Sequence, residues 1–143
     1  MKTLILFCSL FMSTSVIAAP FNNVTEAEEK LATFSVADID GDEQRLAAGK
    51  NLKINEIFED LKETVALLEK AKLTEALALQ MERLCLLASL HDPSNYAVDL
   101  ILPVYQKNKA LFEKASQKLH PYDRKNLLEV LKGKDHEATD GNG

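Results

Sequence analysis

The strongest constraint on the fold of this chain is a row of apolar side chains that recur every three or four residues. Six of them fall on one side of an α-helix, while charged side chains such as Glu59 and Lys62 fall elsewhere. The six are Ile54, Ile57, Phe58, Leu61, Val65 and Leu68. An apolar stripe of this width packs on a core, so the pattern predicts an amphipathic helix.

Apolar side chains become denser between Leu73 and Leu90 and point in two directions around the helix. A helix with apolar side chains on several sides is buried on several sides, so we place this segment at the centre of the fold. No glycine or proline separates it from the preceding stripe. Residues 52–91 therefore form either one long helix or a hairpin that turns near Lys72, Leu73 and Thr74.

Prolines mark two further helix starts. Asp92-Pro93 and His120-Pro121 each place a capping side chain before a proline, whose missing N–H does no harm in the first turn. Between them, residues 97–119 carry a helical apolar seam, with a kink expected before Pro103. The last apolar stripe ends at Gly133, and glycine is typical of a helix C-terminus.

The Thr-x-x-Glu spacing of Thr25 and Glu28 predicts another helix start, because each side chain can satisfy a free backbone N–H. This helix is expected to end near Asp38, and a short second helix is expected over 42–48. No run alternates apolar and polar residues as a strand does. The predicted fold class is all-α, an irregular antiparallel bundle of four to six helices joined by short connections.

The first residues have the pattern of a secretory signal peptide. Lys2 precedes an apolar run over 4–12, and small residues follow it up to Ala18. Cleavage is expected after Ala18, because cleavage one residue later would place Pro20 directly across the cut bond. The run is about half of the roughly 20 residues that span a bilayer, so no integral membrane segment is expected. We predict that residues 1–18 are removed on export to the periplasm or the extracellular space.

The remainder has the size of one domain. With 143 residues, 5 Gly, 4 Pro and 46% hydrophobic composition, the chain is neither collagen-like nor polar and disordered. We assign residues 19–133 to a single helical domain and residues 134–143 to a flexible C-terminal tail. Only Cys85 remains after the expected cleavage, so an apolar core must hold the fold together without an internal disulfide. Cys85 lies in an apolar run and is interpreted as a buried small hydrophobe.

Charge is distributed unevenly along the chain. Residues 19–43 hold seven acidic side chains and one basic, whereas residues 104–134 hold eight basic and three acidic. We expect these two segments to face each other within one fold, where their charges attract weakly. A basic stripe is also the footprint of nucleic-acid binding, but the net charge is −5 and export is expected. No nucleic-acid partner is predicted.

The loop Asp38-Ile39-Asp40-Gly41-Asp42 has the alternating carboxylates that open a calcium-binding EF-hand loop. The similarity stops there, since Glu43 occupies the position of the turn glycine and Gly49 that of the bidentate glutamate. No metal site is therefore predicted, and Asp38, Asp40 and Asp42 are weak candidates for binding calcium. The acidic loop is interpreted instead as favouring a helix N-terminus through the helix dipole.

No motif for catalysis is visible. There is no Gly-x-Ser-x-Gly turn and no glycine-rich phosphate loop, and apolar surroundings make a thiol such as Cys85 less reactive. His91, His120 and His136 lie near expected helix ends or in the tail, and no Cys-x-x-Cys-His haem attachment is present, so we expect no cofactor. Acid and base residues on separate helices leave no local signature. The sequence therefore favours a non-enzyme without deciding the matter.

The predicted function is that of a small exported accessory protein that acts by protein-protein contacts, with an unidentified partner or with a second copy of itself. Aromatic side chains are the usual anchors of interfaces. The candidate contact residues are Tyr96, Tyr105, Phe112 and Tyr122, and a groove near Pro103 is a further candidate surface. The alternative is a bundle that binds a small ligand, a haem or a metal in a pocket lined by residues 77–90.

Overall fold

The computed structural model describes residues 20–141, which form eight α-helices and no β-strand. The helices are α1 (Val24–Leu31), α2 (Val36–Asp40), α3 (Asp42–Ala47), α4 (Lys53–Leu67), α5 (Glu75–Ser89), α6 (Tyr96–Lys107), α7 (Lys109–Ser116) and α8 (Pro121–Asp140). The all-α prediction is confirmed for this part of the chain. The expected signal peptide, residues 1–18, lies outside the described residues.

The helix expected over 25–38 is divided in two. The N-cap of α1 is Asn23, whose side-chain Oδ1 accepts a hydrogen bond from the backbone N–H of Glu26 at 2.9 Å. α1 ends at Leu31, and α2 begins after a separate N-cap at Ser35. Both Asn and Ser compete well for N-cap positions, so the Thr-x-x-Glu pattern selected the wrong capping residue.

Residues 52–91 form two helices rather than one. α4 ends at Leu67, and Thr74 caps α5 by accepting a hydrogen bond from the backbone N–H of Leu77 at 3.1 Å. Eight of the fifteen residues of α5 are buried, and α5 contacts α1, α2, α4, α6, α7 and α8. The expected central position of this segment is therefore confirmed.

The start of α6 differs from the expected one. α6 begins at Tyr96, after Asn95 in the left-handed conformation with φ 56°, so Pro93 lies before the helix. Asp92 still acts as a cap, since its carboxylate accepts the backbone N–H of Tyr96 at 2.9 Å. Pro103 lies inside α6, and the seam expected over 97–119 is divided at Asn108, which separates α6 from α7.

The last helix starts as expected and ends later. Pro121 is its first residue, but α8 continues through Gly133 to Asp140, so residues 134–140 are helical rather than a tail. Gly133 does not have the positive φ of a helix-ending glycine. Beyond Gly133, the carboxylate of Asp135 pairs with Lys109 of α7. The expected domain boundary at residue 133 thus falls within a helix that packs on the rest of the protein.

A single cluster of buried apolar side chains forms the core. Tyr105 and Phe112 lie in it with their rings edge to face, 5.7 Å between centroids. Cys85 is also buried and free, as interpreted from the sequence, and burial raises the pKa of its thiol. Within residues 20–141, no helix is both long enough and apolar enough to span a membrane.

The acidic and basic segments do not pair with each other. Within the described residues, no ion pair joins an acidic side chain of 19–43 to a basic side chain of 104–134. Six of the eight basic side chains pair instead with acids of α5, α6, α7 and α8, for example Lys114 with Glu75 at 2.6 Å. α1 packs on α4 and α5, which lie between the two charged segments in the chain. The two segments do meet at one groove, where Phe34, Ser35 and Val36 lie with residues 118–126, so the expected weak attraction does not involve a direct ion pair among the described residues.

Candidate functional site

The three aspartates of the acidic loop have separate partners. Asp38 accepts the backbone N–H of Ser35 at 2.8 Å in a capping box, whereas the carboxylate of Asp40 is exposed and lies 3.8 Å from Nε2 of His91. Asp42 is buried and turns toward α4. Residues 20–141 contain no group of three His, Cys, Asp or Glu side chains that could hold a metal ion. Two of the three aspartates therefore hold helix starts in place: Asp38 at α2 and Asp42 at α4.

Asp42 joins α3 to the start of α4. Its carboxylate accepts the backbone N–H of Lys53 at 2.6 Å and that of Ile54 at 2.9 Å, the free donors of the first turn of α4. The N-cap residue Leu52 has no side-chain oxygen to do this. Arg45 supplies a positive charge at 2.9 Å. Burial alone would raise the pKa of Asp42. The two backbone N–H groups and the Arg45 guanidinium lower it by more than burial raises it, so the pKa of Asp42 is below its usual value.

Two of the four aromatic contact candidates are buried. Tyr105 is 1% exposed and Phe112 is 0% exposed, so neither side chain can reach a partner and their selection as contact residues is corrected. Their spacing along the seam fits core packing equally well, which is why the sequence did not separate the two roles. Tyr96 is partly exposed and packs edge-on against Phe58, 5.0 Å between ring centroids. Tyr122 is the most exposed of the four.

The surface of the described residues has a groove of about 640 Å³, which we call the α5–α8 groove. Three segments form it: the α1–α2 connection, the C-terminal half of α5, and the α7–α8 connection with the start of α8. Its lining residues are Phe34, Ser35, Val36, Arg83, Leu86, Leu87, Ser89, Leu90, Lys118, Leu119, His120, Tyr122, Asp123 and Asn126. It includes part of the segment 77–90 that was expected to line a pocket.

Exposed apolar side chains are concentrated at this groove. The described residues have five large hydrophobic side chains that are exposed, and three of them, Val36 (54%), Leu90 (57%) and Tyr122 (67%), line the groove. The other two are Leu46 and Tyr96. Large exposed apolar side chains are usually scattered, and their convergence marks binding surfaces.

Positive charge accompanies the apolar lining. Arg83 lies on the α5 wall, and Lys118 and His120 lie on the opposite wall, with Asp123 as the single acidic residue. Arg83 donates a hydrogen bond to Gln80, and no carboxylate of the described residues lies within ion-pair distance of its guanidinium. Lys118 is 3.1 Å from the carboxylate of Glu75. His120 Nδ1 accepts the backbone N–H of Tyr122 at 3.3 Å, so Arg83 is the cation of the lining that has no acidic partner in the described structure.

The groove expected near Pro103 is also present but smaller. It has a volume of about 290 Å³ and lies between the end of α4, with the connection that follows it, and the C-terminal half of α6. None of the five exposed large hydrophobic side chains lines it. The α5–α8 groove is therefore the stronger candidate for a binding surface.

Two buried acids were not singled out from the sequence. Glu82 is 0% exposed, and neither of its carboxylate oxygens has a hydrogen-bond partner among residues 20–141. Burial raises its pKa to about 8, opposed by the positive charge of Arg124, so Glu82 is protonated at neutral pH. Arg124 donates a hydrogen bond from Nε to Ser116 Oγ at 3.2 Å. Tyr105 and Cys85 are the other titratable groups close enough for a charge on Glu82 to raise their pKa values.

Asp60 is the second of these acids. It is almost completely buried on α4, 3.7 Å from Nζ of Lys30, which makes a shorter contact of 2.8 Å with Glu56. Burial raises the pKa of Asp60 to about 6, against the opposing charge of Lys30. The signal available in the sequence was position: Asp60 and Glu82 each fall among buried apolar residues of an otherwise amphipathic or apolar helix.

Comparisons with protein-family models, with curated protein sequences and with solved structures found no match to this chain. The described residues therefore define the class: an all-α protein with an open groove at its surface that is lined by apolar side chains and by the guanidinium of Arg83.

Proposed function

We propose that this chain is a small exported helical accessory protein that binds a protein partner in the α5–α8 groove. The observation that supports this most is the convergence of Val36, Leu90 and Tyr122, each more than half exposed, on one groove. Exposed apolar side chains are costly in water, and a partner that covers them regains their burial energy. Tyrosine is also among the residues that contribute most to protein interfaces.

A protein fits this groove better than a small molecule because the most exposed apolar side chains lie at its rim. Small-ligand pockets bury most of the ligand surface, with apolar side chains at the floor and walls. Phe34, Leu86 and Leu87 do provide such a floor, and this favours the alternative, a bundle that binds a small apolar ligand. A small molecule on the floor would leave Leu90 and Tyr122 in water.

We also infer that the longer helices form an irregular antiparallel bundle around α5. The connections between α5 and α6 and between α7 and α8 are short, and short connections favour antiparallel neighbours. α5 contacts six of the other helices, which supports its place at the bundle centre.

The partner prediction is tested by replacing rim residues. The double variant Leu90→Ser, Tyr122→Ser is expected to lose at least about tenfold in affinity for a partner captured by the wild-type protein from its own extracytoplasmic fraction. The matched control is Leu46→Ser, since Leu46 is 68% exposed but does not line the groove. Affinity is measured with the recovered partner, and both proteins are first compared by thermal unfolding.

Two results would contradict the proposal. One is an equal loss of affinity in the Leu46→Ser control, and the other is recovery of no partner at native abundance. A visible absorption band in the purified protein, or an unfolding temperature raised by calcium, zinc or haem, would instead support the ligand-binding alternative.

The export proposal predicts the N-terminus of the mature protein. Expression in a host with a secretory pathway is expected to give a chain that begins at Ala19, measured by intact mass and N-terminal sequencing. Replacing Ala18 with the bulky Phe is expected to block or shift cleavage, because the protease requires a small residue there. Recovery of the full-length chain, unprocessed and inside the cell, would contradict export.

A further inference from the structure

We propose that the partner segment bound in the α5–α8 groove presents a carboxylate to Arg83, placed between apolar side chains that cover Leu90 and Tyr122. The inference rests on the proposed function and identifies the occupant as an acidic, amphipathic peptide segment of another protein.

The first observation is that the guanidinium of Arg83 has no acidic partner in the described structure. Arg83 and Arg124 are the two half-buried cations of the described residues that have no carboxylate within ion-pair distance. The other half-buried cations are paired: Lys30, Arg45, Lys53 and Lys134 each contact an acidic side chain. Arg124 faces inward, toward Ser116 and the buried Glu82. Arg83 alone lines the groove without an acidic partner, although a half-buried cation gains most from one.

The second observation is the distribution of charged side chains on the two walls of the groove. Arg83 stands on one wall, Lys118 and His120 stand on the other, and Asp123 is the single acid. An occupant therefore meets the guanidinium of Arg83, which has no carboxylate partner, on one wall, and on the other wall the ammonium group of Lys118, which Glu75 already contacts at 3.1 Å. Complementary charge across an interface selects the partner and speeds association. A guanidinium can also hold a carboxylate through two parallel hydrogen bonds, which an ammonium group cannot.

The combination of charge and apolar surface decides the kind of occupant. A fatty acid presents one carboxylate and one flexible chain, whereas a peptide can place an acidic side chain at Arg83 beside a row of several apolar side chains. A peptide is also long enough to cover the exposed side chains of Leu90 and Tyr122 at the rim. We therefore assign the groove to a segment in which apolar residues alternate with aspartate or glutamate.

The test selects a displayed library of random 12-residue peptides on the mature wild-type protein and, separately, on Arg83→Glu. Peptides selected on the wild type are expected to be enriched in Asp or Glu beside apolar residues. They are expected to bind Arg83→Glu at least about tenfold more weakly, and their Glu→Lys versions to regain binding to that variant. Lys50→Glu is the control, because Lys50 is exposed and lies outside the groove. Arg83→Gln, which removes the charge without reversing it, is measured alongside as a second variant.

The failure of this inference is distinguishable from that of the proposed function. Selected peptides that lose affinity for Leu90→Ser, Tyr122→Ser but bind Arg83→Glu and Arg83→Gln unchanged would overturn the role of Arg83 and leave the groove as a docking site. Peptides that bind all groove variants equally would overturn both. Selection of peptides without acidic enrichment, or of none, would overturn the inference. So would displacement of selected peptides by laurate, or a dimer in light scattering that Arg83→Glu dissociates, since the occupant would then be a lipid or a second copy.

Discussion

Replacing Glu82 with glutamine is expected to stabilise the protein by roughly 3 kcal/mol at pH 7. The wild-type carboxyl group is completely buried without a hydrogen-bond partner in the described structure, and burial raises its pKa to about 8 from an ordinary value of 4.5. At pH 7 the unfolded chain releases this proton and the folded chain keeps it. Ionisation therefore favours unfolding, and a neutral glutamine of similar shape removes that term.

The pH dependence separates this effect from simple repacking. Below pH 4.5 both states of the wild type hold the proton, so the wild type and Glu82→Gln are expected to differ least there. Between pH 4.5 and about 8 the wild type loses stability relative to the variant, and above about pH 8 the difference is constant. Asp60, whose pKa is raised to about 6 by burial, acts in the same direction over a narrower range at lower pH. Denaturant unfolding at several pH values measures the difference.

Glu129→Gln provides the control for this series. Glu129 is exposed on α8, so its replacement is expected to change the free energy of unfolding by less than about 0.5 kcal/mol at every pH. A variant Glu82→Gln that is less stable than the wild type, increasingly so at higher pH, would contradict the prediction. That result would mean that Glu82 is ionised and that Arg124 stabilises its charge.

Replacing Asp42 with alanine is expected to destabilise the protein by about 3 kcal/mol at pH 7. The change removes a buried carboxylate that accepts two backbone N–H groups at the start of α4 and pairs with Arg45. The two backbone N–H groups then lose their side-chain partner, and Arg45 keeps only its hydrogen bond to the backbone carbonyl of Asp38. The effect has the opposite pH dependence to that of Glu82: the folded-state pKa of Asp42 is lowered, so its contribution is present above the ordinary pKa and is lost as the pH falls through the folded-state value.

Asp40→Ala is the matched control, because Asp40 lies in the same loop but is exposed, and its carboxylate makes one ion-pair contact in the described structure, with His91 at 3.8 Å. Its expected effect is below about 1 kcal/mol. The two variants also test the calcium interpretation of the loop. Calcium is added to the wild type and to both variants while the unfolding temperature is measured. If calcium raised the unfolding temperature of the wild type and neither variant showed that rise, the loop would bind calcium in addition to the structural role of Asp42.

The sequence predicted the helices best where apolar side chains repeat over several turns. The stripe beginning at Ile54 and the dense segment ending near Leu90 correspond to α4 and the central α5. Predictions failed mainly at helix ends, where one side chain decides the outcome. Asn23 caps α1 in place of Thr25, and Gly133 lies within α8 rather than after it. A local pattern gives several residues the same capacity to cap or terminate, and tertiary packing selects among them.

The candidate site was much less accessible from the sequence. Val36, Leu90 and Tyr122 are far apart in the chain, and no local spacing indicates that they meet at one groove. Tyr122 was identified because it is aromatic, but the same criterion also selected Tyr105 and Phe112, which are in the core. Arg83 lies in a segment that was interpreted from its sequence as central and apolar. Its position on a groove wall follows from the packing of α8 against α5, which no local sequence pattern indicates.

Burial of Cys85 has a practical consequence for measuring motion in this protein. Its thiol is the single free cysteine of the described residues, it is covered by the core, and burial raises its pKa. Alkylating reagents attack the thiolate, so a folded molecule reacts slowly and a molecule that has opened reacts at the rate of a free peptide thiol. In a chain expressed from residue 19, which lacks Cys8, the rate of alkylation at Cys85 therefore reports how often α5 is exposed to solvent, without any introduced label.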